Sequence, residues 1–272
     1  MPFKIAHLCL FTLSWGIFLT SGALADRSSF ASFERRMYQH DQALAEVSQS
    51  LEEWLSGRLE QRAFLRRLEE QKRAFTALPG KAGDSIRSSE LRMVEAMAEF
   101  AGAKQPTAAG QQKLFLKLGE LNCRRSVEYL QWRERELKSL LAGKPLSSTR
   151  EYLAWEAAWN PIWLEEARLT LSLQQGMLSG AGSGQEGKKV LQGLLKLSER
   201  GAKIKAPETA KELQTLALDR VAVLARTAEQ LIRLEARQSR GALTQVRRLS
   251  RKLSSLTEEF QGKRLRIVQN LN

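Results

Sequence analysis

Apolar residues recur at intervals of three and four along Phe30, Phe33, Met37, Leu44, Val47, Leu51 and Trp54, the spacing of one helix face packed in coiled-coil fashion. His40 takes an apolar position in that seam. Gly57 is placed to end this helix, and a second run through Phe64, Leu65, Leu68 and Phe75 stops at Leu78-Pro79-Gly80. A third helix is predicted from Asp84 to Ala101, and a fourth from Thr107 to Leu141, after a break at Gln105-Pro106. Gly143-Lys144-Pro145 reads as a hinge between halves. Another helix follows to Gln175, then a linker over Gly176 to Gly187 and a short helix from Lys188 to Ala202. From Pro207 the pattern is helical nearly to the end, with a turn at Ser239-Arg240-Gly241. Hardly any alternating β-branched run competes with these helices. The fold class is therefore all-α, an elongated helical bundle in two helical-hairpin halves, 26–142 and 143–272. A weak internal repeat supports the division. Leu78-Pro79, a helix, the Pro106 break and a basic helix resemble Ala206-Pro207, a helix, the Gly241 break and a basic helix.

The densest aromatic stretch is Tyr152 to Glu166, which holds three of the six tryptophans. At about 100° per residue, Tyr152, Trp155, Trp159 and Ile162 share one side of a helix, with Trp163 at its margin. Asn160-Pro161 either caps a new helix with proline in its first turn, or sits inside one helix and removes the bond to residue 157. Two uses are open for the rings. They form a core that joins the halves, or Tyr152, Trp155, Trp159 and Trp163 make an aromatic platform for a ligand.

Ahead of the first seam, Met1 to Ala25 has the make-up of an export leader. Lys4 precedes an apolar run from Ile5 to Leu19, and Ala23-Leu24-Ala25 stands before Asp26. Cleavage after Ala25 is expected, with an uncleaved anchor as the rival. No later run is long enough to span a bilayer of about 20 apolar residues. The chain is thus expected to be exported, periplasmic or secreted. Cys9 leaves with the leader, so Cys123 stands alone and no intramolecular disulfide forms.

Several chemistries lack their residues. Gly182 to Lys189 nearly spells a phosphate-binding loop, but Lys189 occupies the place of the magnesium-binding hydroxyl and no buried strand precedes it. His40 is the only histidine after the leader, which excludes sites that need two imidazoles; covalent c-type haem lacks its motif. Cys123 lies beside Arg124 and Arg125, yet its helical neighbours Leu116, Val127 and Leu130 place it in the core. No cofactor, metal or catalytic residue is expected.

Charge adds the most. The chain carries 43 Lys and Arg against 30 Asp and Glu, a formal net charge of +13. Between Arg220 and Arg266 stand twelve Lys or Arg and four Glu. If one helix runs through Gly241, Arg226, Arg233, Arg237, Arg240, Arg247, Arg248 and Arg251 fall within roughly 60° of one meridian. If the chain turns there, they line two neighbouring helices. The expectation is a non-enzymatic binding or scaffolding protein of the cell envelope, with Arg233, Arg237, Arg240, Arg247 and Arg251 meeting an anionic partner. Lipid headgroups, lipopolysaccharide or another acidic polymer fit that role, and nucleic acid fits it poorly. The rival class is an enzyme or haem-type electron carrier with a site near Trp155, Trp159 and His40.

Overall fold

The computed structural model describes residues 28–103, 107–143, 145, 147–178, 183–237 and 240–269. Among them are eight α-helices and one short 3-10 turn, with no strand. Residues 1–27, with the stretch read as an export leader and the expected cleavage after Ala25, lie outside the described residues. Helix α1 spans Ser28–Leu55, α2 Gln61–Lys72, α3 Gly80–Gly102 and α4 Ala108–Ala142. Helix α5 spans Ser147–Leu178 and α6 Ser183–Ala202; after the 3-10 turn Glu208–Ala210 come α7 Lys211–Arg237 and α8 Arg240–Gln269.

The ends follow from local chemistry. Gly57, with φ of 77°, takes the left-handed conformation that lets the chain leave α1. Thr107 caps α4 by accepting the Gly110 N–H at 3.0 Å. Pro161 stands inside a continuous α5, so the cap reading of Asn160-Pro161 is replaced by the interior one. The proline ring is exposed, where it displaces no packing. Asn160 is buried and donates to Leu130 O on α4 at 3.0 Å. The expected linker over Gly176 to Gly187 is also largely helix: α5 continues to Leu178 and α6 begins at Ser183, while 179–182 lie outside the described residues. There Gly187 lets α6 approach α7 closely, since a Cβ would meet Ile232 at 3.0 Å.

Helices adjacent in sequence from α3 to α8 pack as neighbours in space. Lys263 near the end of α8 pairs with Glu212 at the start of α7, so the two run antiparallel. The chain therefore folds back between 237 and 240, and no single helix carries all the arginines. Burial separates two apolar clusters. The larger joins Phe30, Phe33 and Met37 of α1 to α5, α7 and α8; the smaller joins Leu44, Val47 and Leu51 to α2, α3 and the first turns of α4.

Each half runs long helix, shorter helix, irregular loop with proline, then two further helices. Buried positions on the third helix of each half, with the 3-10 turn that leads into α7, pair off at one constant interval: Gly83 with Ala210, Ile86 with Leu213, Val94 with Val221, Met97 with Leu224, Ala101 with Ala228. On α1 and α5, Phe33, Glu34 and Met37 correspond in the same way to Trp155, Glu156 and Trp159, all buried. On α4 and α8, Ser126, Tyr129 and Arg133 correspond to Thr257, Phe260 and Arg264, again all buried.

Candidate functional site

The arginines singled out from the charge pattern divide between α7 and α8. Arg233 is exposed and donates to Glu229 at 2.5 Å, one turn back on α7. Arg251 on α8 is exposed. The side chains of Arg237, Arg240 and Arg247 lie outside the described residues. Around these, Arg226, Arg248, Lys252 and Arg266 are exposed. Their counterparts on α4 have a different fate. At the interval that pairs Arg133 with Arg264, Arg251 corresponds to Glu120 and Lys252 to Leu121, and both α4 residues are buried. Helix α4 is packed between α3 and α5, whereas α8 lies along α7. Positions that are buried on α4 thus carry exposed cations on α8.

The rings read as core or platform are all inside: Tyr152, Trp155, Trp159 and Trp163 are buried, and the chain itself covers them. Of the two uses open for the rings, their burial favours the core. Trp159 stacks on Trp163 with centroids 5.8 Å apart, and Phe260 of α8 meets Trp163 edge-on at 5.8 Å. Both indole N–H groups of Trp155 and Trp159 donate to Gln214 Oε1, at 2.8 and 2.7 Å. Gln214 in turn donates to Gly201 O and Ile204 O. One glutamine thereby satisfies the polar edges of two buried tryptophans, which an apolar core alone could not do.

Three groups of buried charge accompany these rings, and the first is built around His40. Its Nδ1 lies 2.8 Å from Glu90 Oε2 on α3, and its Nε2 lies 3.5 Å from Thr76 Oγ1 in the loop before that helix. Arg125 of α4 bonds Glu90 Oε1 at 2.7 Å and pairs with Asp41 Oδ1 at 2.6 Å. His40, Asp41, Glu90 and Arg125 form a polar layer between the two apolar clusters, since Met37 and Ile86 lie on one side and Leu44 and Met93 on the other. Burial pushes Asp41 up to about 8, against the lowering effect of Arg125 and with the help of Glu90 and Glu34. In the other half, buried Glu166 of α5 pairs with Arg220 of α7 at 2.5 Å, and burial outweighs that arginine in raising its carboxyl. The third group, around Glu34 and Glu156, joins the halves.

Cys123 is free and fully buried, and burial raises its thiol far above the usual range, with Glu166 and Glu120 adding to the effect. A thiol so held is not the activated thiolate that nucleophilic chemistry needs. Among the described residues no group of three or more His, Cys, Asp or Glu is arranged to hold a metal, and no helix is long and apolar enough to cross a membrane. The Gly182 to Lys189 stretch belongs to α6 from Ser183 onward, so it is not a loop that could wrap a phosphate.

No family model, no curated protein and no solved structure matches this chain.

Proposed function

We propose that the protein is an exported, non-enzymatic binding or scaffolding component of the cell envelope, and that the cations of α7 and α8 meet an anionic partner. The supporting observation is the contrast between α4 and α8. Glu120 and Leu121 are buried, while Arg251 and Lys252, at the corresponding positions, are exposed. Arginine forks suit phosphate and carboxylate groups, and a cluster of exposed cations raises the local concentration of anions. Acidic lipid headgroups, lipopolysaccharide and acidic polymers share that chemistry.

Sedimentation with anionic vesicles or lipopolysaccharide tests this reading. Binding at low salt should weaken steadily as ionic strength approaches physiological values, where screening acts over about 8 Å. Changing Arg233, Arg237, Arg240, Arg247 and Arg251 together to glutamine should abolish it while helicity and melting midpoint stay nearly unchanged. A quintuple variant that folds and binds as before would remove the arginines from the interaction.

A further inference from the structure

We infer that the chain is a fused dimer: two copies of one four-helix unit, α1 to α4 and α5 to α8, docked on each other through a buried square of two glutamates and two arginines.

The square consists of Glu34 and Arg133 from the first unit and Glu156 and Arg264 from the second. These are corresponding residues, Glu34 with Glu156 and Arg133 with Arg264, at the intervals that also pair the surrounding core positions. Every carboxylate faces both guanidinium groups. Arg264 Nε donates to Glu156 Oε1 at 2.5 Å inside the second unit, and Arg133 Nε lies 3.5 Å from Glu34 Oε1 inside the first. Across the junction, Arg133 Nη2 donates to Glu156 Oε2, and Arg264 Nη1 lies 3.8 Å from Glu34 Oε2. A contact of residue i with j and of j′ with i′ is the signature of an isologous interface, the kind that two identical subunits make.

Two tyrosines complete the carboxylates without following the repeat, since Tyr129 stands where the second unit has Phe260 and Tyr152 where the first has Phe30. Each carboxylate also accepts from a buried tyrosine: Glu34 from Tyr129 at 2.7 Å and Glu156 from Tyr152 at 2.5 Å. Two positive and two negative groups leave the cluster formally neutral, which is the condition for holding four charges at 2% exposure or less. Apolar contacts of both units enclose it, including the Arg133 guanidinium over the Trp163 ring at 5.3 Å. A face of this composition fits a second copy of the same unit, because each carboxylate supplied by one copy needs the arginine supplied by the other.

Charge exchange separates contacts within a unit from contacts between units. In Glu34→Arg/Arg133→Glu the pair inside the first unit survives with reversed sign, but both cross-junction contacts become repulsive. The same holds for Glu156→Arg/Arg264→Glu. Combining all four changes restores attraction everywhere. Each two-residue exchange should lower the melting midpoint by roughly 10 °C, and the four-residue exchange should recover most of that loss. As a second measurement, a protease site is inserted at 144–146 of the full-length chain and cut in the folded protein. The two fragments should then co-elute at micromolar concentration, and should separate in either two-residue exchange. Exchanges without effect, a four-residue exchange no more stable than its parents, or fragments that separate in the unexchanged protein would each overturn the fused-dimer reading.

Discussion

The two halves solve the same packing problem with opposite choices of polar residues. The first half holds His40, Asp41, Glu90 and Arg125 where the second, at the same intervals, holds Ile162, Trp163, Ala217 and Leu256, all buried. The exchange also runs the other way, because Glu166 and Arg220 stand at the positions of Leu44 and Met93. Helix packing therefore requires charge at neither set of positions. Taking a carboxylate out of water costs several kcal/mol before any partner offsets it, and apolar replacements of whole buried networks are often neutral or stabilising. The polar layer of the first half is thus a departure from the common plan, and it divides the core into two apolar blocks.

The largest effect should come from breaking that layer one residue at a time. Arg125→Leu leaves Glu90 without its guanidinium and Asp41 without its hydrogen-bond donor, and should cost about 3 to 5 kcal/mol in denaturant unfolding. Making the layer apolar after the second half, as His40→Ile, Glu90→Ala and Arg125→Leu with Asp41→Leu in place of the bulkier Trp163, should return most of that stability. A quadruple variant as damaged as Arg125→Leu would show that the two halves are not interchangeable at these positions.

Next in size is a contact peculiar to the second half. Gly201 lies against Trp159 so closely that a Cβ would come within 2.6 Å of the ring. Gly201→Ala should therefore cost about 1 to 3 kcal/mol through displacement of the buried indole. Trp159 hydrogen-bonds to Gln214, so near-ultraviolet circular dichroism should change with it. An unaltered spectrum and midpoint would mean that the ring has room to move.

The helices were legible because their signal is periodic: the Phe30 to Trp54 seam, the Gly57 stop and the break at Pro79 each act within a few residues, although the helix after that break starts at Gly80 and not at the expected Asp84. The Gly176 to Gly187 stretch misled because glycine is a weak helix former in isolation, while close packing of Gly187 on Ile232 overrides that preference. The internal repeat was faint in residue identity. It emerges in burial, since Gly83 and Ala210 share a position and not a side chain. The ionic groups were hidden for a stronger reason. Glu34 and Glu156 read as ordinary acids on helices rich in charge, and Glu156 stands two helical turns from any arginine of its own helix. Their partners Arg133 and Arg264 come from α4 and α8, and only the tertiary fold brings all four together.

A smaller difference between the halves should appear as pH dependence. Asp41 is held protonated in the folded protein to about pH 8, whereas an unfolded aspartate loses its proton near 3.8. Over that window the folded state binds more protons than the unfolded one, so this group's contribution to stability is full below about pH 4 and falls as pH rises towards 8. The slope is at most about 1.4 kcal/mol per pH unit for one proton. Arg125, Glu90, His40 and Glu34 surround the carboxyl, and Asp41→Asn removes only the titrating group. Unfolding measured at pH 5, 6.5 and 8 should give a flatter profile for Asp41→Asn, with its gain over the parent largest at pH 8. Parallel profiles would place the proton elsewhere in the layer.

The smallest effect is expected on the face that α8 leaves in water. Arg251 and Lys252 are exposed, so their charges are solvated and screened, and exposed cations contribute little to stability. Arg251→Gln/Lys252→Gln should therefore shift unfolding by no more than about 0.5 kcal/mol. At the corresponding positions of α4, Glu120 holds Lys117 at 3.0 Å and Arg124 at 2.7 Å, and Leu121 belongs to the smaller apolar cluster. The comparison is sharp because the two pairs occupy corresponding places on corresponding helices and differ in burial. If the α8 pair proved as costly to change as a core residue, some other part of the protein would be packed over it. The cations would then be internal partners, and the anionic surface would have to be sought on another helix.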